Sequence, residues 1–291
     1  MEQIKLVCPC HFGLEAVLKK EIESLGYPID RTEDGRVFFT GNVDAIARAN
    51  LFLRTAERVL LVAGEFTATS FEELFEKTKA LPWESFLPSD ARFWVAKASS
   101  VRSRLFSPTD IQSIVKKAIV DRMKCSYRTE IIPETGSEYP IRVSIRNDLV
   151  TIGLDTSGIS LHKRGYRTDT VKAPISETLA AALLMLTPWK ADRILVDPFC
   201  GSGTFPIEAA MMGLKIAPGL NRSFTAESWK NLIPKKAWYL ASEEAMDLQV
   251  SDAELDISGF DIDAGSVAFA KENARRAGVE NAVRFGVRDV K

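Results

Sequence analysis

Stretches of alternating apolar and polar residues, separated by stretches of helical spacing, predict three successive units of mixed helix and strand. The elements predicted in the first unit, residues 1–65, are a strand at Ile4–Cys8, a helix at Gly13–Leu25, a strand at Arg36–Phe39, a helix at Asn42–Asn50 and a strand at Arg58–Val62. This alternation of strands and helices predicts a ferredoxin-like α+β domain.

The second unit, residues 66–167, begins with a helix instead of a strand. Its predicted elements are a helix from Ser70 to Leu81, a strand at Arg92–Ala98, a helix from Asp110 to Lys124, and a hairpin of Ile141–Ile145 with Leu149–Asp155. Ser70 is the predicted N-cap, because a serine oxygen can accept a hydrogen bond from an N–H group of the first helical turn.

The third unit, residues 168–291, predicts the first half of a doubly wound parallel sheet. Its predicted elements are a helix at Ala173–Leu184 entered through Pro174, a strand at Ile194–Val196, a strand at Ile257–Asp263, a helix at Ala264–Ala277 and a strand at Val283–Val287. The uninterrupted apolar character of Ile194–Val196 predicts a strand that is buried on both faces.

Composition narrows the class of protein. The 291 residues are 46% hydrophobic and 26% charged, with a formal net charge of −1, which is ordinary for a soluble globular protein. We find no apolar run long enough to span a membrane and no signal-peptide layout, so we expect a cytoplasmic protein without a membrane partner. The scattered cysteines favour a reduced compartment, and Cys8 and Cys10 lack the additional ligands that a metal site needs.

After the apolar strand comes the segment D-P-F-C-G-S-G-T, residues 197–204, with a helix predicted from Thr204 as its N-cap. Gly201 and Gly203 lack Cβ atoms, so backbone N–H groups can approach a ligand closely. A dinucleotide site would need a third glycine where Pro206 stands. Asp197 would repel an anion and attract an ammonium group. The pattern favours S-adenosylmethionine (SAM), with a phosphate or dinucleotide ligand and a purely structural turn as alternatives.

The segment D-P-F-C-G-S-G-T closely resembles motif I of the THUMP-containing RNA methyltransferases, in particular the bacterial family that methylates guanine N2 in large-subunit ribosomal RNA. The run L-H-K-R-G-Y-R at residues 161–167 resembles the junction between the THUMP and catalytic domains of that family. The resemblance covers essentially the whole chain. It implies a ferredoxin-like domain at 1–65, a THUMP domain at 66–167 and an incomplete Rossmann-like methyltransferase domain at 168–291, a combination of α+β and α/β folds.

Acidic residues near the ends of the following strands extend the predicted cofactor site. Asp261 can accept hydrogen bonds from both ribose hydroxyls, whereas Asp263 is the second choice because it could instead cap the next helix. The resemblance implies that Asp289 binds the adenine amine and that Ser176 and Glu177 lie along the methionine end of SAM, although the helix dipole explains Glu177 equally well. The complete predicted site is Ser176, Glu177, Asp197, Pro198, Phe199, Cys200, Gly201, Ser202, Gly203, Thr204, Asp261, Ile262 and Asp289.

Residues 97–167 carry 13 Lys and Arg against 7 Asp and Glu, which is a charge of +6 in a chain of net charge −1. Such an excess is typical of a surface that contacts RNA phosphates, or of a solvated basic helix face. The resemblance implies that the THUMP domain binds structured RNA. The predicted RNA contacts are Arg102, Arg104, Lys116, Lys117, Lys163 and Arg164.

A segment at Pro218–Leu255 interrupts the third unit and contains Trp229, Trp238 and several lysines. Aromatic and basic side chains together can stack on a base and hold it. We favour the alternative, in which these side chains cover the edge of a helix.

The catalytic motif of the resembling family, N/D-P-P-Y/F, occurs nowhere in the sequence. We therefore assign no catalytic residue, expect the motif beyond Lys291, and expect the chain as given to be inactive. Cys200 is expected to pack beneath the cofactor and not to act as a nucleophile.

The predicted function is SAM-dependent methylation of an exocyclic amine of an RNA base, with guanine N2 of large-subunit ribosomal RNA as the favoured target. The alternatives are a tRNA guanine-N2 or adenine-N6 methyltransferase, and a non-catalytic RNA-binding protein on a methyltransferase-like scaffold. The oligomeric state stays open.

Overall fold

The computed structural model describes residues 3–167, 174–251 and 253–290. Its strands are β1 (Ile4–Pro9), β2 (Ile29–Glu33), β3 (Arg36–Gly41), β4 (Leu60–Thr67), β5 (Arg92–Val101), β6 (Glu138–Arg146), β7 (Leu149–Asp155), β8 (Leu195–Asp197), β9 (Ile257–Asp261) and β10 (Arg284–Val287). Its α-helices are α1 (Glu15–Ser24), α2 (Asp44–Phe52), α3 (Phe71–Ala80), α4 (Trp83–Phe86), α5 (Pro108–Tyr127), α6 (Glu177–Leu186), α7 (Thr204–Gly213), α8 (Lys235–Asp247) and α9 (Ala264–Arg276).

The first seven strands form one continuous sheet in the order β2-β3-β1-β4-β7-β6-β5. Strand β4 lies at its centre and pairs antiparallel with β1 on one side and with β7 on the other. The predicted boundary between residues 65 and 66 therefore falls inside a strand, and the first two units share one sheet. The predicted strand ends at Val62 because the β4–β7 register shifts between Val62 and Gly64, which breaks the alternation of side chains.

Strand β2 was not predicted, although it forms an edge of this sheet. It pairs with β3 across a tight turn at Asp34 and Gly35, where Gly35 has a φ of +72°. Its side chains are largely polar, and Arg31 stacks over the ring of Phe38, 3.5 Å from the centroid. An edge strand of this composition offers little of the apolar alternation by which a strand is recognised.

The two faces of the seven-stranded sheet differ. Leu6, Phe39, Ile141 and Ile152 belong to the main hydrophobic core, together with buried residues of α1, α2, α3 and α5. The intervening positions point the other way, where the residues Val7, Phe38 and Leu60 form a small cluster drawn from strands alone. We call this second side of the sheet the strand-only face.

The segment 218–255 packs against the main core. Trp229 stacks on Tyr139 of β6 with 4.7 Å between ring centroids, and its Nε1–H donates to the carbonyl oxygen of Glu138 at 2.8 Å. Trp238 of α8 stacks on Phe224 at 5.4 Å, and α8 packs against α2. Both indoles are buried, as the predicted covering role requires, but Trp229 covers strand β6 and not the edge of a helix.

Strands β8, β9 and β10 form a second, parallel sheet in the order β10-β9-β8, against which α7 and α9 pack. Val196 in β8 is 55% exposed and Ile194 is 71% exposed, so the prediction of a strand buried on both faces is wrong for the described residues. In the described sheet β8 is an edge strand, and Leu195 alone of its apolar residues joins the helix-covered core.

The helix predicted over Ala173–Leu184 is α6, which begins at Glu177 with Ser176 as its N-cap, while Ala173 lies outside the described residues. Helix α6 packs against α7 and also touches α1, so it connects the second sheet with the first. Although α6 is strongly apolar, no helix in the described ranges is long and apolar enough to cross a bilayer.

Candidate active site

The glycine turn connects the end of β8 to the start of α7. Gly201 and Gly203 have φ angles of +51° and +83°, a region that glycine adopts without strain. Gly203, and not the predicted Thr204, occupies the N-cap position of α7, because the backbone must be left-handed there. Thr204 is the first helical residue, and its Oγ1 accepts a hydrogen bond from Nη2 of Arg167 at 2.7 Å.

The turn lies directly against β9 and β10. The N–H group of Cys200 donates to the carbonyl oxygen of Phe260 at 2.8 Å, which joins the turn to β9. A Cβ atom on Gly203 would lie 2.9 Å from Cζ of Phe285, and one on Gly259 would lie 2.6 Å from Cε1 of the same ring. Close packing against Phe285 requires glycine at both positions, and at Gly203 the left-handed backbone requires it as well.

Two carboxylates face the turn from adjacent strand ends. Oδ1 of Asp197 accepts a hydrogen bond from the N–H of Phe199 at 3.1 Å, and Oδ2 of Asp261 accepts one from the N–H of Gly201 at 2.9 Å. Burial raises the pKa of Asp197, and the neighbouring negative charge of Asp261 raises it further. A cation bound beside both groups would relieve this repulsion.

Asp263 has a separate role. Its Oδ2 accepts hydrogen bonds from the N–H of Ser266 at 2.7 Å and from the Ser266 hydroxyl at 2.8 Å, so Asp263 is the N-cap of α9. These hydrogen bonds lower the pKa of Asp263. Of the two aspartates considered from the sequence, Asp261 is the one that contacts the glycine turn.

Ser176 and Glu177 stand at the start of α6. Ser176 Oγ accepts a hydrogen bond from the N–H of Leu179 at 3.4 Å, while Glu177 is buried with its Oε1 3.2 Å from Nε of Arg167. Burial raises the pKa of Glu177, and the charge of Arg167 opposes the rise. The structure therefore gives Glu177 an ion pair with the protein itself.

Arg167 was missed as a site residue because the sequence shows it only as the last basic residue of a basic run. Besides Glu177 and Thr204, its guanidinium donates to the carbonyl oxygen of Ile175 at 3.0 Å. These contacts hold the start of α6 against the start of α7, where the predicted cofactor site lies.

The remaining predicted cofactor residues divide by exposure. Cys200, Ser202 and Thr204 are buried, whereas Pro198 and Asp289 are exposed. Phe199 and Ile262 are 75% and 70% exposed, which is unusual for large apolar side chains. Burial, together with the charges of Asp197 and Asp261, raises the pKa of the Cys200 thiol to about 12. Such a thiol stays protonated at neutral pH, which is unfavourable for a nucleophile.

The predicted RNA residues lie in separate places. Arg102 and Arg104 are exposed after β5, and Lys163 is exposed in the segment that leads to the second sheet. Lys116 and Lys117 are exposed on α5, where Lys116 lies 3.9 Å from Glu134 and Lys117 lies over the ring of Phe75.

Arg164 is a correction to the predicted RNA surface. Its side chain is 2% exposed, and its Nε lies 3.5 Å from Oε1 of Glu208. It also donates to the carbonyl oxygens of Leu161 at 2.9 Å and Arg54 at 2.5 Å. Because the guanidinium is enclosed by these partners, Arg164 is a structural residue at the junction of the domains.

Comparison with known proteins follows the order of the domains. Models of the RlmL ferredoxin-like domain, the THUMP domain and the RMKL-like methyltransferase domain match residues 5–60, 68–155 and 164–291. The Bacillus subtilis (strain 168) protein named RNA methyltransferase YpsC is 47% identical over 293 residues, a match that spans 100% of this chain and 75% of YpsC. The chain belongs to the THUMP-containing RMKL-like methyltransferase family.

Two further proteins are similar to this chain over nearly its whole length. Ribosomal RNA large subunit methyltransferase K/L of Shewanella baltica (strain OS155) is 35% identical over 284 residues, and the chain spans 40% of its length. The solved structure of SMU.472 complexed with SAH is 44% identical, with a TM-score of 0.93 over 99% of this chain and 76% of that one. The predicted ferredoxin-like, THUMP and Rossmann-like domains are confirmed, and so is SAM as the cofactor of this methyltransferase family.

Proposed function

We propose that this methyltransferase transfers a methyl group from SAM to an exocyclic amine of an RNA base, with guanine N2 of large-subunit ribosomal RNA as the target. The observation that carries the proposal is the pair of carboxylates, Asp197 and Asp261, at adjacent strand ends around a glycine turn. The names of YpsC and of methyltransferase K/L support an RNA substrate. The spelling of the segment at residues 197–204 supports the amine target.

The residues of the turn fit the chemical groups of SAM. Asp197 would attract the ammonium group of the methionine moiety, and the glycines at 201 and 203 leave room for close approach to the backbone. Asp261 would accept hydrogen bonds from the ribose hydroxyls, while Ile262 offers exposed apolar surface to the adenine ring. Asp289 would bind the adenine amine. The bound cofactor supplies an electrophilic methyl group on a sulfonium centre.

The described side chains bind and orient the cofactor, and none of them is proposed to orient the target amine. Cys200 is not proposed as a nucleophile, because its side chain is buried and its pKa is raised. The expectation that the chain as given is inactive has no support from the relatives and is not part of the proposal. A guanine must leave its helix to present N2 to the methyl group.

Calorimetric titration of SAM into the wild-type protein, Asp261→Ala and Asp256→Ala tests the cofactor site. Asp256 precedes the other end of β9, where it pairs with Arg284, so it is a matched carboxylate away from the turn. We expect Asp261→Ala to weaken binding at least tenfold, since hydrogen bonds to a charged acceptor contribute about 1.5–3 kcal/mol. Asp256→Ala should bind like the wild type. Absence of binding by the wild type would favour a non-catalytic RNA-binding scaffold.

The target base is tested separately with labelled SAM and ribosomal RNA. Mass spectrometry of the digested RNA should find the label on guanine as N2-methylguanosine. Label on adenine as N6-methyladenosine would contradict the guanine assignment while leaving the methyltransferase activity in place.

A further inference from the structure

A cleft of about 580 Å³ opens on the strand-only face of the seven-stranded sheet. Strands from both domains line it, with Val7 from β1, Arg36 from β3, Lys97 from β5, Arg142 from β6 and Thr151 from β7. Its volume lies within the range of about 300–1,000 Å³ that is usual for ligand sites. The site predicted from sequence did not include this cleft.

The lining of the cleft is strongly basic. Five cationic side chains line it, namely Arg36, Arg58, Lys97, Arg142 and Arg146, and Glu57 is the carboxylate among the lining residues. We call the cleft with all of these lining residues the basic cleft. Such a concentration of one charge attracts an anion and focuses the field within the cleft.

The acidic groups near the basic cleft are already engaged. Asp155 is buried beneath it and accepts hydrogen bonds from Nη1 of Arg58 at 2.7 Å and Nε of Arg142 at 2.8 Å, so one carboxylate serves two arginines. Arg36 donates to Glu33 at 2.8 Å. Lys97 and Arg146 make no side-chain ion pair or hydrogen bond with any residue that the structure describes.

Burial and mutual repulsion both act on the pKa values of the cations in the basic cleft. Burial lowers the pKa of Arg36 and the charge of Arg146 adds to the fall, although Glu33 opposes it. Burial likewise lowers the pKa of Arg58, and Arg142 adds to that fall against the opposing charge of Asp155. A bound anion would offset both the desolvation and the repulsion.

The basic cleft ends at the methyltransferase domain. Glu57, Ser160 and His162 line this end, and Oε1 of Glu57 accepts a hydrogen bond from Oγ1 of Thr178 in α6 at 2.5 Å. Ser176, the N-cap of the same helix, lies 3.4 Å from Nε2 of His11. An extended ligand in the basic cleft is therefore directed toward α6 and the glycine turn.

We propose that the basic cleft holds the sugar–phosphate backbone of a single-stranded segment of the RNA substrate, and that the exposed lysines of α5 do not. The inference rests on the proposed RNA substrate. The lining contains no Phe, Tyr or Trp on which a base could stack, and its one aromatic ring, His162, lies at the end near α6 with its Nδ1 3.2 Å from Glu57. Ser99, Ser144 and Thr151 add hydroxyl donors for phosphate oxygens. Contacts of this kind position an RNA without reading its sequence.

The test measures binding of a labelled single-stranded oligoribonucleotide, and of a duplex of the same sequence, by fluorescence anisotropy over a series of salt concentrations. The cleft variant is Lys97→Ala with Arg146→Ala, and the matched control is Lys116→Ala with Lys117→Ala on α5. We expect the cleft variant to bind the single strand at least tenfold more weakly, with a salt slope reduced by about 1.4 for two lost phosphate contacts. The α5 control should bind like the wild type.

A loss of binding in the α5 control that equals or exceeds the loss in the cleft variant would overturn the inference, as would a preference for the duplex or no RNA binding by the wild type. SAM titration of all three proteins separates this failure from failure of the proposed function. If SAM binds equally to all three, the cofactor site stands whatever the RNA result.

Discussion

The acidic turn (Asp197, residues 198–204 and Asp261) and the basic cleft are opposites in charge but alike in construction. Each brings like charges together at one side of a sheet, where burial shifts their pKa values against ionisation. Like charges held together in this way oppose folding unless counter-charges offset them, either in the protein, as Asp155 does for Arg58 and Arg142, or in a bound ligand. The acidic turn suits the ammonium and hydroxyl groups of SAM, and the basic cleft suits phosphate.

The two regions differ in how they are encoded. Eight consecutive residues and one aspartate on the next strand make the acidic turn, so local sequence identifies it. The basic cleft takes its residues from β1, β3, β5, β6 and β7, which are far apart in the chain. A site of this second kind becomes visible only when the order of the strands is known.

The largest expected effect concerns Arg164, a basic residue that the structure separates from both ligand regions. Arg164→Ala should lower the free energy of unfolding by about 3 kcal/mol, because it leaves the buried Glu208 carboxylate without its ion-pair partner and with the Tyr166 hydroxyl as its remaining hydrogen-bond donor. Lys163→Ala, at the exposed neighbouring position, should change it by less than about 0.5 kcal/mol. Urea denaturation of both variants measures the difference.

If Arg164→Ala instead kept wild-type stability and bound RNA weakly, Arg164 would belong with the RNA-binding residues after all.

The next effect sharpens the assignment of the acidic turn. Asp197→Ala and Asp197→Asn should each weaken SAM binding more than tenfold, or by more than about 1.4 kcal/mol, because both remove the charge that attracts the ammonium group. As the pH is lowered, protonation of Asp197 removes the charge that attracts SAM. Because the pKa of Asp197 is raised, the SAM affinity of the wild type should start to fall at a higher pH than it would for an aspartate of ordinary pKa. Calorimetry across pH should show this fall in the wild type and its loss in Asp197→Asn.

An Asp197→Asn protein that binds SAM as tightly as the wild type would exclude electrostatic attraction by the turn.

The smallest effect concerns the junction between the two regions. Burial opposes ionisation of Glu57, but hydrogen bonds from His162, Thr178 and Ser160 outweigh it and lower its pKa to about 2. Because the folded pKa is depressed, the stabilisation is complete above about pH 4.5 and is lost as the pH falls toward 2. Glu57→Gln should remove this acid-sensitive part, on the order of 1 kcal/mol after solvent screening.

The acid-sensitive stabilisation is measured by urea denaturation of the wild type and Glu57→Gln at several pH values between 5 and 3, with the midpoint urea concentration compared at each pH. Parallel curves for the two proteins would show that Glu57 does not stabilise the junction.

Much of the fold could be predicted because many elements have local signals. Ser70 and Asp263 cap α3 and α9 with their side chains, as a polar residue before a helical pattern indicates. The glycine turn and the order of elements in the third unit were likewise local. Strand β2 was missed because an edge strand need not alternate, and the end of β4 was missed because a bulge interrupts its pattern.

The candidate site could also be predicted where local sequence signals mark it, and could not where it depends on tertiary contacts. Asp197 and Asp261 lie where strand ends and glycines placed them, whereas Arg167 and Arg164 look alike in the sequence and differ only in their partners. Burial of a charge depends on what packs around it. Here the partners are Glu177, ten residues after Arg167, and Glu208, 44 residues after Arg164. Pairing of this kind is a property of tertiary structure.

Strand β4 carries a final consequence, because it belongs to the ferredoxin-like domain on one side and to the THUMP domain on the other. Domains that share a strand cannot rotate against each other without breaking a ladder of backbone hydrogen bonds. The basic cleft is lined by strands of both domains, so the spacing between its two halves is set by this ladder and not by a hinge. A ligand that contacts both halves of the basic cleft would therefore meet a preformed site, whose width is the same before and after binding.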